Sequence, residues 1–246
     1  MAHGPGLTLN IVEKRFDPLA TPVLDQFTLN IAPGSVVALV GPSGVGKSTI
    51  LRLVAGIDRL FSGRITVDGI DADKAHPPGF VFQDPRLLPW LTAIDNIRAA
   101  DGKMPQATAL QALAQVGLNG YGDAYPHQLS GGMQRRLALA RALAINAEVL
   151  LLDEPFVSLD RALVNEIHGL LAELVGAKRP TVLFISHLAE DAARLADRVV
   201  VLAGRPARIV DDIELPTSRQ QRDGNIINGY IRRIESAAST KTGTKL

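Results

Sequence analysis

Apolar and polar residues alternate over residues 7–12 as in a half-buried strand, and Leu24, Phe27, Leu29 and Ile31 continue the β-like opening. Residues 35–40 form a short apolar run with β-branched members, bounded by Pro33-Gly34 and Gly41-Pro42. Such a run suits a strand buried on both faces of a parallel sheet. Helical spacing follows over residues 47–55, carried by Ile50, Leu51 and Val54, and short strands are expected at 65–67 and 80–82. From Asp84 to Ala147 strand-like runs vanish and Ala/Leu/Gln-rich helical patterns replace them, as in 106–116 and 134–144. Strand signals return at 149–152, 181–185, 198–202 and 208–213, while Leu163, Ile167, Leu170, Leu171 and Leu174 mark one face of a helix between them. The pattern predicts an α/β core interrupted by a helical insertion. No internal repeat is evident, and the small, polar stretch 236–246 reads as a loose tail.

The chain has 246 residues, enough for one large domain or two small ones without a disulfide or metal staple. It has no cysteine, which excludes thiolate nucleophiles and Cys-ligated zinc or iron–sulfur sites. Lys plus Arg number 26 against 25 Asp plus Glu, so the basic excess of a dedicated nucleic-acid binder is missing. The first six residues lack the basic and apolar regions of a signal peptide, and no apolar run approaches the ~18 residues of a spanning helix. The expectation is a soluble, intracellular chain that another polypeptide must hold if it works at a membrane.

Three segments carry chemistry. Gly41-Pro42-Ser43-Gly44-Val45-Gly46-Lys47-Ser48 fits the P-loop pattern between a strand and a helix. Its glycines let backbone N–H groups converge on phosphate oxygens, and the helix N-terminus adds positive potential there. Lys47 would bridge the β- and γ-phosphates, Ser48 would ligate Mg²⁺ and Thr49 would contact the α-phosphate. Residues 149–154 make a buried strand ending in Asp153 and Glu154, a pair suited to the Mg²⁺ shell and to polarising an attacking water. Ser130-Gly131-Gly132 opens an amphipathic helix as a second anion-binding terminus. One nucleotide does not need two such clamps, unless the second serves another subunit's nucleotide.

Leu129-Ser130-Gly131-Gly132-Met133-Gln134-Arg135-Arg136 and the Leu137, Ala138, Ala140, Arg141 and Ala142 that follow resemble the signature region of the ATP-binding subunits of ATP-binding cassette (ABC) transporters. The resemblance runs from about residue 7 to residue 215. It implies a P-loop NTPase (RecA-like) core with an antiparallel β lobe and an inserted α-helical subdomain. The expected division is one ATPase domain over 1–225, with its β/α core at 1–83 and 148–225 and its helical subdomain at 84–147. A C-terminal helix and tail occupy 226–246. Phe16 matches the aromatic that stacks on adenine, and Gln83 matches the Q-loop glutamine that senses Mg²⁺ and the γ-phosphate. Ser158-Leu159-Asp160 resembles the D-loop, and His187 after Ser186 resembles the switch histidine. Taken singly, Phe16 also suits a core aromatic, His187 a structural histidine, Gln83 a strand-end polar residue and Asp160 a helix N-cap; the shared order of motifs selects the functional reading.

The resemblance further implies ATP and Mg²⁺ as ligands, with Glu154 as general base and His187, Gln83 and Lys47 beside it. A second copy of the chain would complete a head-to-tail ATP-sandwich dimer. Transmembrane permease subunits, and through them a solute-binding protein, would tether it at the cytoplasmic face of the inner membrane. Residues 82–92, through Leu87, Leu88, Pro89 and Trp90, are similar to the branch importing nitrate, sulfonates, taurine and related small anions, as are residues 199–210 with Arg205-Pro206. An exporter or lipid-extraction subunit and a non-transport ABC ATPase are the alternatives. Leu87, Leu88 and Trp90 are candidates for the groove that receives a membrane-subunit helix, although Trp90 equally suits a core position. Three residues depart from the family pattern: Leu188 where an acidic residue is common, Ser35 after Gly34 in place of Glu, and Arg161 where a small residue is usual.

Overall fold

Each central strand divides its side chains between two cores, and the rest of the architecture follows from that division. The computed structural model describes residues 3–240 apart from Ser158. β1 (Leu7–Lys14) and β2 (Leu24–Ile31) pair antiparallel, with Leu9 opposite Leu29. β3 (Val36–Val40) leads through a glycine-rich loop into α1 (Lys47–Val54). β4 (Ser62–Val67) and the short β5 (Ile70–Asp71) complete a four-stranded antiparallel sheet in the order β2-β1-β4-β5. β6 (Gly79–Val81) precedes the helical layer of α2 (Ala93–Arg98), α3 (Gln106–Gln115) and α4 (Gly131–Ala144). β7 (Val149–Asp153), α5 (Arg161–Lys178), β8 (Thr181–Ile185), α6 (Ala189–Leu195), β9 (Arg198–Ala203), β10 (Arg208–Glu214) and α7 (Gly224–Thr240) finish the chain. The second sheet runs β10-β9-β3-β8-β7-β6, with every pairing parallel except that of the β10 edge.

All residues of β3, β7 and β8 are buried. Because side chains alternate across a sheet, Ala38, Leu150, Phe184 and Val199 pack toward α5, α6 and the helical layer, while Leu39, Leu151, Leu183 and Val200 pack toward α1 and the antiparallel lobe. Burying one such side chain contributes about 1.5–3 kcal/mol, so the doubly covered sheet is the main stabilising element. This is the expected fold class: a mixed α/β core, an antiparallel lobe and an inserted helical layer.

Two expectations need correction. The polar stretch from Ser236 continues as helix to Thr240, because Ile227 and Ile234, seven residues apart on one face of α7, are buried in the main core. The expected loose tail is therefore wrong over 236–240, and its remainder, 241–246, lies outside the described residues. The boundary placed at 225/226 falls inside α7, whose packing on α6 and β9 joins it to the core. Strand β5 and helix α2 are too short for the periodicity that revealed their longer neighbours.

Lys14 closes β1 in an unusual way. It is 2% exposed, and its Nζ sits 2.7 Å from Asp58 Oδ2 and donates to the Leu60 carbonyl at 2.9 Å. The same ammonium lies 4.7 Å from the centre of the Phe16 ring. Removing one partner of a buried pair costs about 3–5 kcal/mol, and somewhat less here because Asp58 retains some solvent contact. Lys14→Ala is expected to lose about 2–3 kcal/mol, read as a fall in Tm of roughly 4–12 °C. An unchanged Tm would show that the ion pair does not tie β1 to the loop before β4.

Candidate active site

Four neighbouring parallel strands deliver the candidate residues to one edge. In the sheet order β3-β8-β7-β6, the C-terminal ends carry the glycine-rich loop, Ser186-His187, Asp153-Glu154 and Gln83 respectively. Leu39 and Asp153 both stand level with Ile185, so these ends are in register. Ligand crevices in open α/β sheets form at this edge.

The loop 41–46 turns through left-handed backbone at Gly44 (φ 77°) and Gly46 (φ 115°). A Cβ at Gly46 would come within 2.8 Å of Val23 Cγ1, so glycine is needed there on two counts. Lys47 is 5% exposed, and its Nζ donates to the carbonyls of Gly41 (2.7 Å) and Pro42 (2.9 Å). Burial pulls its pKa down, and the nearby charges of Glu154 and Asp153 oppose that shift. Ser48 Oγ donates to Asp153 Oδ1 at 3.0 Å. Burial pushes the Asp153 carboxyl up, against the Ser48 hydrogen bond that holds it down. A hydroxyl beside a carboxylate is a hard-oxygen donor set that fits Mg²⁺. Among the described residues no group of three or more His, Cys, Asp or Glu could cage a metal. One hydroxyl and one carboxylate suit an ion that keeps most of its ligands from phosphate and water.

Glu154 is the centre of the arrangement. Its backbone is left-handed (φ 53°), a conformation that disfavours non-glycine residues by roughly 1–2 kcal/mol, and its N–H donates to the Ile185 carbonyl at 3.2 Å. The carboxylate is nearly buried and held on both oxygens: Gln83 Nε2 donates to Oε2 at 3.1 Å, and His187 Nε2 contacts Oε1. Strained backbone that the surroundings over-determine clusters at functional sites.

The remaining candidates lie around this cluster. Phe16 is 67% exposed and belongs to neither core, so the core-aromatic alternative fails, and the Lys14 ammonium lies over its ring. Ser130 caps α4, its Oγ accepting from the Met133 N–H at 3.3 Å, and Ser130 and Gly131 are exposed. No hydrogen bond among the described residues joins Ser130, Gly131 or Gly132 to the loop 41–49 of the same chain. Asp160 caps α5 through a 2.9 Å bond from the Leu163 N–H, as its structural alternative anticipated. Ser158 lies outside the described residues. Of the departures, Arg161 reaches Glu190 at 3.8 Å on the surface, Leu188 is exposed, and the Ser35 hydroxyl donates to the Ala32 carbonyl. Trp90 is 69% exposed, which removes its core alternative.

Several side chains that organise the site have no signature in the sequence. Arg141 of α4 donates to the carbonyls of Pro85 (2.8 Å) and Arg86 (2.9 Å), clamping the segment after Gln83. Asn96, fully buried on α2, accepts from the Leu88 N–H and donates to the carbonyls of Leu88, Leu91 and Thr92. Arg135 of α4 donates to the Val157 carbonyl. Arg135 and Arg141 fall within the quoted signature region, but nothing in the pattern reveals what they hold.

The ABC transporter family model matches residues 24–157, more than half of the chain. The chain is 42% identical over 88% of its length, and 89% of the relative's, to the "Aliphatic sulfonates import ATP-binding protein SsuB 1" of Xanthomonas axonopodis pv. citri. It is 40% identical to the SsuB 1 of Pseudomonas aeruginosa over 91% of this chain and 93% of that protein. Among solved structures it is similar to the dimeric ATP-binding cassette MJ0796 in a post-hydrolysis state bound to ADP and Pi. That similarity has a TM-score of 0.78 at 29% identity and covers 86% of this chain and 99% of that one. With the family model, near full-length relatives and the fold in agreement, the chain belongs to the ABC transporter family.

Proposed function

We propose that the chain is the ATP-hydrolysing subunit of an importer for aliphatic sulfonates or chemically related small anions such as nitrate or taurine. The observation that carries the hydrolytic reading is Glu154, held between Gln83 and His187 one residue beyond Asp153. The import reading is supported by the names of the sulfonate-import relatives, which align over nearly the whole chain.

In this reading the backbone N–H groups of Gly44 to Thr49 and the Lys47 ammonium bind the phosphates, and Phe16 stacks on adenine. Ser48, Asp153 and Gln83 would hold Mg²⁺, which neutralises charge on the β- and γ-phosphates. Glu154 accepts a proton as water attacks the γ-phosphorus and ADP leaves with the bonding electrons. Gln83 and His187 hold the carboxylate in place for that transfer. Ser130, Gly131, Gly132 and Asp160 act on nucleotide bound by a second copy, in a head-to-tail dimer with two ATP molecules between the chains. The catalytic unit spans a β/α core at 1–83 and from 148 onward and a helical subdomain at 84–147. Among the described residues no helix is long and apolar enough to cross a membrane. By its likeness to the sulfonate-import relatives, the chain would work at the cytoplasmic face of the inner membrane through permease subunits fed by a solute-binding protein. Exposed Trp90 with Leu87 and Leu88, on a segment clamped by Arg141 and Asn96, would receive the permease helix.

Glu154→Gln is expected to keep ATP affinity while turnover falls roughly 10²–10⁴-fold, the worth of a positioned base. It should also accumulate an ATP-bound dimer on size exclusion, and a turnover near wild type sinks the assignment. Ser130→Arg should leave ATP binding to the monomer intact, and mixing it with Lys47→Ala should restore at most one composite site per heterodimer. Loss of monomer binding in Ser130→Arg would make the loop a cis element. Trp90→Ala should retain the basal ATPase of the isolated chain and lose stimulation by the permease. Full stimulation in the assembled transporter would move the docking groove elsewhere.

A further inference from the structure

Behind His187 lies a cluster of polar groups that the hydrolytic reading does not use. Asp191, in the first turn of α6, is 3% exposed, and Ser186, at the end of β8, is 4% exposed. The Ser186 hydroxyl donates to Asp191 Oδ2 at 2.5 Å, and its oxygen accepts the Leu188 N–H at 3.0 Å. A serine has one proton to give, so handing it to Asp191 orients a lone pair toward Leu188. These two bonds bracket His187 and define the turn that aims its imidazole at Glu154.

The far side of Asp191 is closed from α5. His168 Nε2 lies 3.2 Å from Asp191 Oδ1, and the His168 ring meets Phe156 edge-on with centroids 4.5 Å apart. Neither ring nitrogen makes an aligned hydrogen bond, so the imidazole confines the carboxylate by contact and the directional bond is the one to Ser186. Phe156 stands two residues beyond Glu154, and α5 begins at Arg161. The chain leaving Glu154 thus returns, through Phe156 and His168, to brace the turn that presents His187 to Glu154. A buried carboxylate costs stability unless it is hydrogen-bonded, and here the Ser186 hydroxyl supplies that bond while His168 Nε2 faces the other oxygen at 3.2 Å.

We propose that Asp191 is a positioning residue for His187, acting through the Ser186 hydroxyl and braced by His168. The inference rests on the hydrolytic reading of Glu154 and His187. Steady-state kcat and KM for ATP are compared in Asp191→Ala, Asp191→Asn, Ser186→Ala, His187→Ala and the Asp191→Ala/His187→Ala double variant, with nucleotide affinity and circular dichroism as folding controls. Misplacing a catalytic group by an ångström costs on the order of 10²-fold. Asp191→Ala and Ser186→Ala are therefore expected to lose about 10–100-fold in kcat with KM nearly unchanged. Asp191→Asn, whose amide oxygen still accepts the Ser186 hydroxyl, should recover most of that loss. The double variant should be no slower than His187→Ala alone, because residues acting as one unit are not additive. Should Asp191→Ala fail to fold, the Ser186→Ala comparison decides the matter. A slow His187→Ala beside a wild-type Ser186→Ala overturns the positioning role alone, as does a multiplied loss in the double variant. A wild-type kcat in His187→Ala overturns both this role and the reading on which it rests.

Discussion

The level C-terminal edge of the parallel sheet is the constraint on which everything else depends. Burial on both faces leaves β3, β8 and β7 no freedom to slip, because a one-residue shift would exchange the contents of the two cores. With that register set, Leu39, Ile185 and Asp153 stand level, and the loops that follow them converge without any further device. The Lys47 ammonium, the Ser48–Asp153 pair and the Glu154 cluster then come together because only β8 separates β3 from β7.

Within this edge the chain concentrates both strain and charge at one residue. Glu154 takes a left-handed backbone and a nearly buried carboxylate, and three adjacent strand ends hold it: Gln83 after β6, its own after β7 and His187 after β8. Two layers of support surround the cluster. Arg141 and Asn96 tie the segment after Gln83 to the helical layer, while Asp191 and Ser186 shape the turn around His187. A movement of the helical layer would thus reach Glu154 through Gln83, which is a physical route for coupling hydrolysis to a partner.

The central strands, the P-loop and the signature helix were legible in the sequence because each has a local cause. Apolar runs bounded by glycine and proline mark the strands, and glycine spacing marks the loop, where Gly46 tolerates no Cβ. The supporting polar residues were not legible. Lys14 bonds to Asp58 from a distant part of the chain, while Asn96 and Asp191 bond nearby loop and turn groups, and neither periodicity nor motif spacing records such partners. Surface position was equally hidden for aromatics: Phe16 and Trp90 read as core candidates by hydrophobicity alone and are exposed. The end of α7 failed for the opposite reason, since its small polar residues suggest a tail while Ile227 and Ile234 anchor the helix upstream.

The central claim is that one sheet edge forms the hydrolytic site with Glu154 at its pivot. A crystal structure of the Glu154→Gln variant with Mg²⁺ and ATP tests it most directly. The account predicts that Lys47 Nζ leaves the Gly41 and Pro42 carbonyls for phosphate oxygens, and that residue 154 stays between Gln83 and His187. A water should then lie within about 3 Å of its side chain, in line with the γ-phosphate. A side chain at 154 turned away from the γ-phosphate, with another carboxylate next to the in-line water, would contradict it.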